Sequence, residues 1–204
     1  MHTTLTFKGN HLPLLSENEF ENQTFKKAAW VNELLKHKIF THCTFESCDF
    51  TQSDFTESKF IECKMYNCNL SLVKFDGCRL QDLEFNSCKL VGINFGKCDT
   101  MFLSMKFVNC LIDTLNCSDL NLKNTSFLHC IIRDTHFTNA NLAGSNFSES
   151  DLRGSIFHNS NLCKANFIGA INYSINPITN QLKHTKFAKP EVLALLEHFG
   201  IIIE

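Results

Sequence analysis

The stretch FTHCTFESCDFTQSDFTESKF, residues 40–60, places phenylalanine at 40, 45, 50, 55 and 60. No regular element asks for that spacing. Five residues on an α-helix leave successive side chains about 140° apart, so they scatter around the axis. In a strand an odd step sends successive side chains to opposite faces. A chain that buries one large apolar group every fifth residue must therefore turn a corner between each and the next.

The beat persists far beyond this stretch. From 40 to 95 every fifth residue is apolar: Phe40, Phe45, Phe50, Phe55, Phe60, Met65, Leu70, Phe75, Leu80, Phe85, Leu90 and Phe95. From 122 to 167 it is apolar again, Leu122, Phe127, Ile132, Phe137, Leu142, Phe147, Leu152, Phe157, Leu162 and Phe167, but two residues out of register. Run backwards, this second register passes through Cys117, Ile112, Phe107 and Phe102. A two-residue slip between Cys98 and Phe102, a local bulge in an even coil, reconciles the two. Of twenty phenylalanines, only Phe7, Phe187 and Phe199 fall outside the column when Phe20 and Phe25 count as early members.

A second column runs two residues before the first. It holds Cys43, Cys48, Ser53, Ser58, Cys63, Cys68 and Cys78 early, and Thr125, Cys130, Thr135, Ala140, Ser145 and Ser150 later. These residues are small. The other three positions of each pentad are polar. Two inward positions in five describe a solenoid whose axis is filled by large groups and whose skin is solvated. With about 20 residues per coil, Cys48, Cys68, Cys88, Cys110 and Cys130 stack as a five-rung ladder inside it. Closely spaced cysteine pairs of the zinc-site kind are absent, so the thiols read as small hydrophobes. Eleven cysteines, an odd number, point to reduced thiols and a cytoplasmic location.

This motif resembles the pentapeptide-repeat family, on segments such as SDFTESKF, ANLAGSNFSESDLRGSIF and SNLCKANF. The resemblance implies an all-β fold, a right-handed quadrilateral β-helix, over residues 38–170. Residues 1–37 are then an N-terminal segment with an irregular first coil or a short helical cap, since Glu33 and Lys38 would put charges in the small inward slot. Residues 171–204 are a crossing segment with a turn at Asn176-Pro177, followed by a C-terminal α-helix and tail. Pro190 suits its first position and Gly200 its C-terminal cap. Val192, Leu195, Leu196 and Phe199 form its apolar stripe; with Ile201, Ile202 and Ile203 they make a candidate cap or dimer contact.

No phosphate loop or nucleophile elbow is present, the histidines show no ligand spacing, and a filled axis leaves no substrate pocket. The reading is therefore no enzyme, no catalytic residue, no cofactor and no metal. A net charge of −2 argues against direct nucleic-acid binding. No signal peptide and no membrane span are expected. Similarity to the Qnr and microcin-immunity branch of the family implies a rod that mimics DNA, binds DNA gyrase or a related topoisomerase, and protects it from quinolones or microcin-type toxins. That branch also implies a homodimer joined through the C-terminal region. Glu46, Asp49, Asp54, Glu57 and Glu62 are the candidate acidic surface for the partner. The alternative is a general scaffold or adaptor with another protein partner.

Overall fold

The computed structural model describes residues 3–6, as backbone, and 17–201. The chain winds as a parallel β-solenoid of four faces, with one central residue per face and 20 residues per coil. Face A stacks Phe20 on Phe40, Phe60 and Leu80, in strands Glu19–Glu21, Ile39–Thr41, Lys59–Ile61 and Arg79–Gln81. Face B carries the longest sheet, seven parallel strands from Thr3–Thr6 to Ser126–Leu128. Face C includes Lys89–Val91, Leu111–Asp113 and Ile131–Arg133, and face D pairs Ile156–Phe157 with Ser174–Ile175.

Many corners are closed by a turn bond, in which the amide three residues after a central residue donates to its carbonyl, as Ser53 N to Phe50 O at 2.9 Å and Ser145 N to Leu142 O at 3.0 Å. With or without that bond, the corner residue two after the central one takes the left-handed conformation: Ser47 at φ 55, Gln52 at 60, Glu57 at 60 and Leu72 at 59. A non-glycine residue there costs about 1 kcal/mol or more, which ladder bonds and ring stacking must offset. Gly92 sits at such a corner with φ 67, and a Cβ there would lie 2.7 Å from Leu72 Cδ2. The Leu72 side chain of the coil below occupies that space and would have to swing aside for a larger residue.

The small inward slot is more than small. Its hydroxyls and thiols donate to the carbonyl of the central residue one coil earlier. Ser150 Oγ reaches Phe127 O at 2.7 Å, Ser160 Oγ reaches Phe137 O at 2.7 Å, and Cys48 Sγ reaches Phe25 O at 3.4 Å. Serine, cysteine and threonine fit because they supply one donor and little volume. All five cysteines of the ladder are buried.

Rings fill the axis. Phe127 stacks on Phe107 at 5.0 Å and on Phe147 at 4.9 Å, and meets Phe137 edge-on at 5.7 Å. In the C-terminal half the large rings come from the opposed faces B and D, while faces A and C supply Leu122, Ile132, Leu142, Leu152 and Leu162. This is the alternation already visible in the column.

Several expectations need correction. Residues 19–38 are a coil like the others, with no helix among the described ones, and Phe20, Phe25, Trp30 and Leu35 are buried. Lys38 does occupy the inward slot, 5% exposed, because its Nζ extends out of the slot to Glu17 O at 2.6 Å and Asn18 Oδ1 at 2.8 Å. Glu33 stays half-buried. The slip falls between Asp99 and Met105, overlapping the expected place and reaching a little beyond it: Arg79 pairs with Asp99, twenty residues on, but Leu83 pairs with Met105, twenty-two on. Residues 100–104 thus replace three residues of the coil below, and Phe102 leaves the column at 43% exposure.

The beat also outlasts Asn172. Phe187 stacks on Phe167 at 5.3 Å, and the chain makes another coil instead of merely crossing. Asn180 fills its inward slot. The C-terminal helix, Glu191–Phe199, is wound as a 3-10 helix, with Pro190 at its N-cap and Gly200, φ 65, at its C-cap. Its Ala194 and Leu195 pack on the end of the core.

Candidate binding surface

The axis is closed along the described length, so any partner meets the outer skin. The depressions on it are open and shallow. Among the described residues no group of three or more His, Cys, Asp or Glu is arranged to hold a metal ion, and no helix is long and apolar enough to cross a membrane.

The five candidate acids do not form one patch. Glu46 stands on face B, Asp49 on face C, Asp54 on face D, and Glu57 and Glu62 at the corners on either side of face A. Four of them meet a lysine or histidine side chain on the coil below. Glu46 lies 2.8 Å from Lys26, Asp54 3.2 Å from Lys36, Glu57 3.1 Å from His37 and Glu62 3.4 Å from His42. The Lys26, His37 and His42 pairs are each twenty residues apart, a one-coil offset that the sequence carries openly. Asp49 instead caps its own turn, accepting from Thr51 N at 3.0 Å and from Thr51 Oγ1 at 2.6 Å. The residue before the central one plays this part repeatedly, as Asn69, Asn146, Asn161 and Asn166 also do. Asp or Asn at that position is a turn signal, so Asp49 and Asp54 of the candidate surface serve their own turns.

Asp54 is the most constrained of the five. Burial works to raise its pKa, but the hydroxyl and amide of Thr56 and the Lys36 ammonium outweigh it, so the carboxyl ends below its ordinary value. A carboxyl depressed in the folded state contributes stability above its unfolded pKa of about 4, lost as pH falls through the folded value. Thermal melts of wild type and Asp54→Asn should therefore differ at neutral pH and converge in acid. A gap that persists unchanged to about pH 2 would contradict this.

Burial pushes Cys78 and Cys117 up to about 12. Cys163 alone is partly exposed. A thiol reagent should titrate one cysteine in the native protein and all eleven once it is denatured. Rapid modification of several native thiols would contradict the closed axis.

At the C-terminal end the structure leaves Leu193, Phe199 and Ile201 exposed and Val192, Leu195 and Leu196 half-buried. Ile202 and Ile203 lie outside the described residues. Other apolar groups stand exposed among the described residues: Met101, 79%, beside Phe102 in the bulge, Ile178, 71%, and Leu34, 68%.

A four-faced parallel solenoid with a filled axis and a polar skin defines a repeat protein that presents surface. Family models described as a pentapeptide repeat region and as pentapeptide repeats match residues 38–117, and 116–158 with 130–169, respectively. The chain belongs to the pentapeptide-repeat family. No curated protein matches it. Among solved structures it is similar to full-length QnrB1, a plasmid-mediated fluoroquinolone resistance protein, at 17% identity, TM-score 0.62 and 98% coverage of both chains. It is also similar to HetL, a pentapeptide-repeat protein involved in heterocyst differentiation regulation from the cyanobacterium Nostoc sp. strain PCC 7120. That match has 16% identity and TM-score 0.61, covering 82% of this chain and 84% of that one.

Proposed function

We propose that this chain is a non-catalytic, cytoplasmic protein-binding rod whose partner is DNA gyrase, which it shields from quinolone or microcin-type poisons. In this reading it acts as a homodimer joined through Leu193, Phe199 and Ile201 of the C-terminal region. The observation that carries the binding role is the buried column, which closes the axis along the described residues and leaves the outer faces as the working surface. The likeness to QnrB1 along both whole chains supports the choice of partner. The test is a supercoiling assay with a quinolone dose that arrests the enzyme. The reading expects added protein to restore supercoiling. No rescue and no binding at about 10 μM would refute it.

A second reading, a general adaptor with a different protein partner, is favoured by one observation. Two of the early carboxylates that would imitate a phosphate backbone, Glu46 and Asp54, are already paired with Lys26 and Lys36.

A further inference from the structure

The last coil breaks the even count by omission. Asp151 pairs with Ile171 and Asn161 with Gln181, each twenty residues on, but between them Ile156 pairs with Ser174 and Phe157 with Ile175, eighteen on. Two residues are thus missing from the corner between faces C and D, and the count is restored before Gln181. Asn172 at that corner is exposed with φ 57, so this coil has no central residue on face C. Tyr173 stands two before Ile175, where earlier coils hold Ser155 and Thr135. Its ring enters the axis instead, 5.7 Å from Phe167 and 5.5 Å from Phe187.

The omission leaves a notch, an open cleft of about 400 Å³ lined by Tyr173, by Arg153 of the coil before, and by Glu191, Ala194 and Glu197 of the C-terminal helix. Tyr173 is 4% exposed, and among the described residues its hydroxyl has no hydrogen-bond partner. Burial, and then the Glu191 carboxylate, push it up to about 12, so it is a neutral hydroxyl at physiological pH. A buried polar atom left unpaired in the wall of a cleft is costly, and a bound group can supply the missing partner. The helix faces the notch with charge. A 3-10 helix repeats every three residues, so Glu191, Ala194 and Glu197 fall on one stripe. The two carboxylates end that stripe about 12 Å apart along the axis, and small Ala194 leaves room between them. Among the described residues neither carboxylate, nor the Arg153 guanidinium, has an ion-pair partner.

We propose that this notch is a binding site for a free basic amino acid, of the lysine or arginine class. The charges match one for one, two cationic groups for Glu191 and Glu197 and one carboxylate for Arg153. The cationic group at Glu191 also donates to the Tyr173 hydroxyl. An extended lysine holds its two ammonium groups about 7 Å apart, and a hydrogen bond of about 2.9 Å at each end covers the rest of the stripe. The exposed rim side chains turn within nanoseconds, which opens a path to the hydroxyl. The site goes beyond the gyrase reading and stands whether or not the rod binds that enzyme.

The test is titration calorimetry of the full-length protein with L-lysine and L-arginine, read beside its melting temperature. At least one of the two should bind. For lysine, three analogues dissect the match: L-norleucine lacks the side-chain cation, cadaverine the carboxylate, and Nα-acetyl-lysine the free α-ammonium. Each should bind about tenfold or more weaker. The last also separates a free amino acid from a lysine at the end of a chain. Tyr173→Phe keeps the ring and removes the hydroxyl. It should bind the amino acid about tenfold weaker, yet melt no lower than wild type without ligand, because the lost hydroxyl had no partner. Glu191→Gln should weaken binding by a similar factor. Failure of both amino acids to bind at about 10 mM would overturn the site. So would acetyl-lysine binding as well as lysine, or a Tyr173→Phe variant that binds as tightly as wild type or melts several degrees lower.

Discussion

Phe127→Ala is expected to destabilise the rod by about 3–5 kcal/mol, the cost of a large cavity in a packed core. Phe127 is 1% exposed and sits mid-rod, stacked between Phe107 and Phe147 and edge-on to Phe137. Its neighbours cannot close the gap. Their backbones are fixed by ladder bonds such as Lys106 to Ser126 in register, and collapse would pull those ladders apart. In a solenoid stability is close to a sum of coil and neighbour terms, so the loss falls on one interface and uncouples the two ends. The unfolding transition should move down by about 10 °C and broaden. Phe102→Ala is the control: it removes an exposed ring stacked on Arg79 and should cost about 1 kcal/mol or less. Equal effects of the two changes would mean that the five-residue column does not define the core.

Asn180→Leu is expected to cost about 3 kcal/mol or more, although it puts an apolar residue into a buried place. Asn180 Oδ1 accepts from Ser160 N at 2.9 Å, and its Nδ2 donates to Phe157 O at 3.0 Å and Asn176 O at 2.9 Å. Leucine abandons all three groups and adds volume at the same time. The damage should stay local, freeing the last coil and the helix packed on it through Ala194 and Leu195. Hydrogen exchange should quicken from about residue 160 onward while coils near Phe45 keep their protection. Uniform loss along the chain, or no loss, would contradict the role given to Asn180.

The fold was largely legible because one inward residue in five fixes the path of the backbone, and Phe40 through Phe95 state that rule without interruption. The cysteine ladder followed from counting alone. The ends were harder for a physical reason: a slot is defined by donors as well as by size. Lys38 and Asn180 satisfy it with hydrogen bonds that hydropathy does not register. The slip was visible as a change of register, but periodicity cannot say which residue leaves the core, and it assigned Phe102 to the wrong side. The candidate acids were read as free charge because their partners are one coil away. His37 against Glu57 and His42 against Glu62 become readable only once the twenty-residue coil is assumed.

The most direct measurement is of ring-to-ring contacts by NMR in protein labelled only at phenylalanine. Stacking requires strong cross-peaks from Phe127 to Phe107, Phe137 and Phe147, whose ring centres lie 5.0, 5.7 and 4.9 Å away, and none from Phe102 to that series. Missing cross-peaks among the first four, or a Phe102 ring found among them, would contradict a rod built on a single axis of aromatic groups.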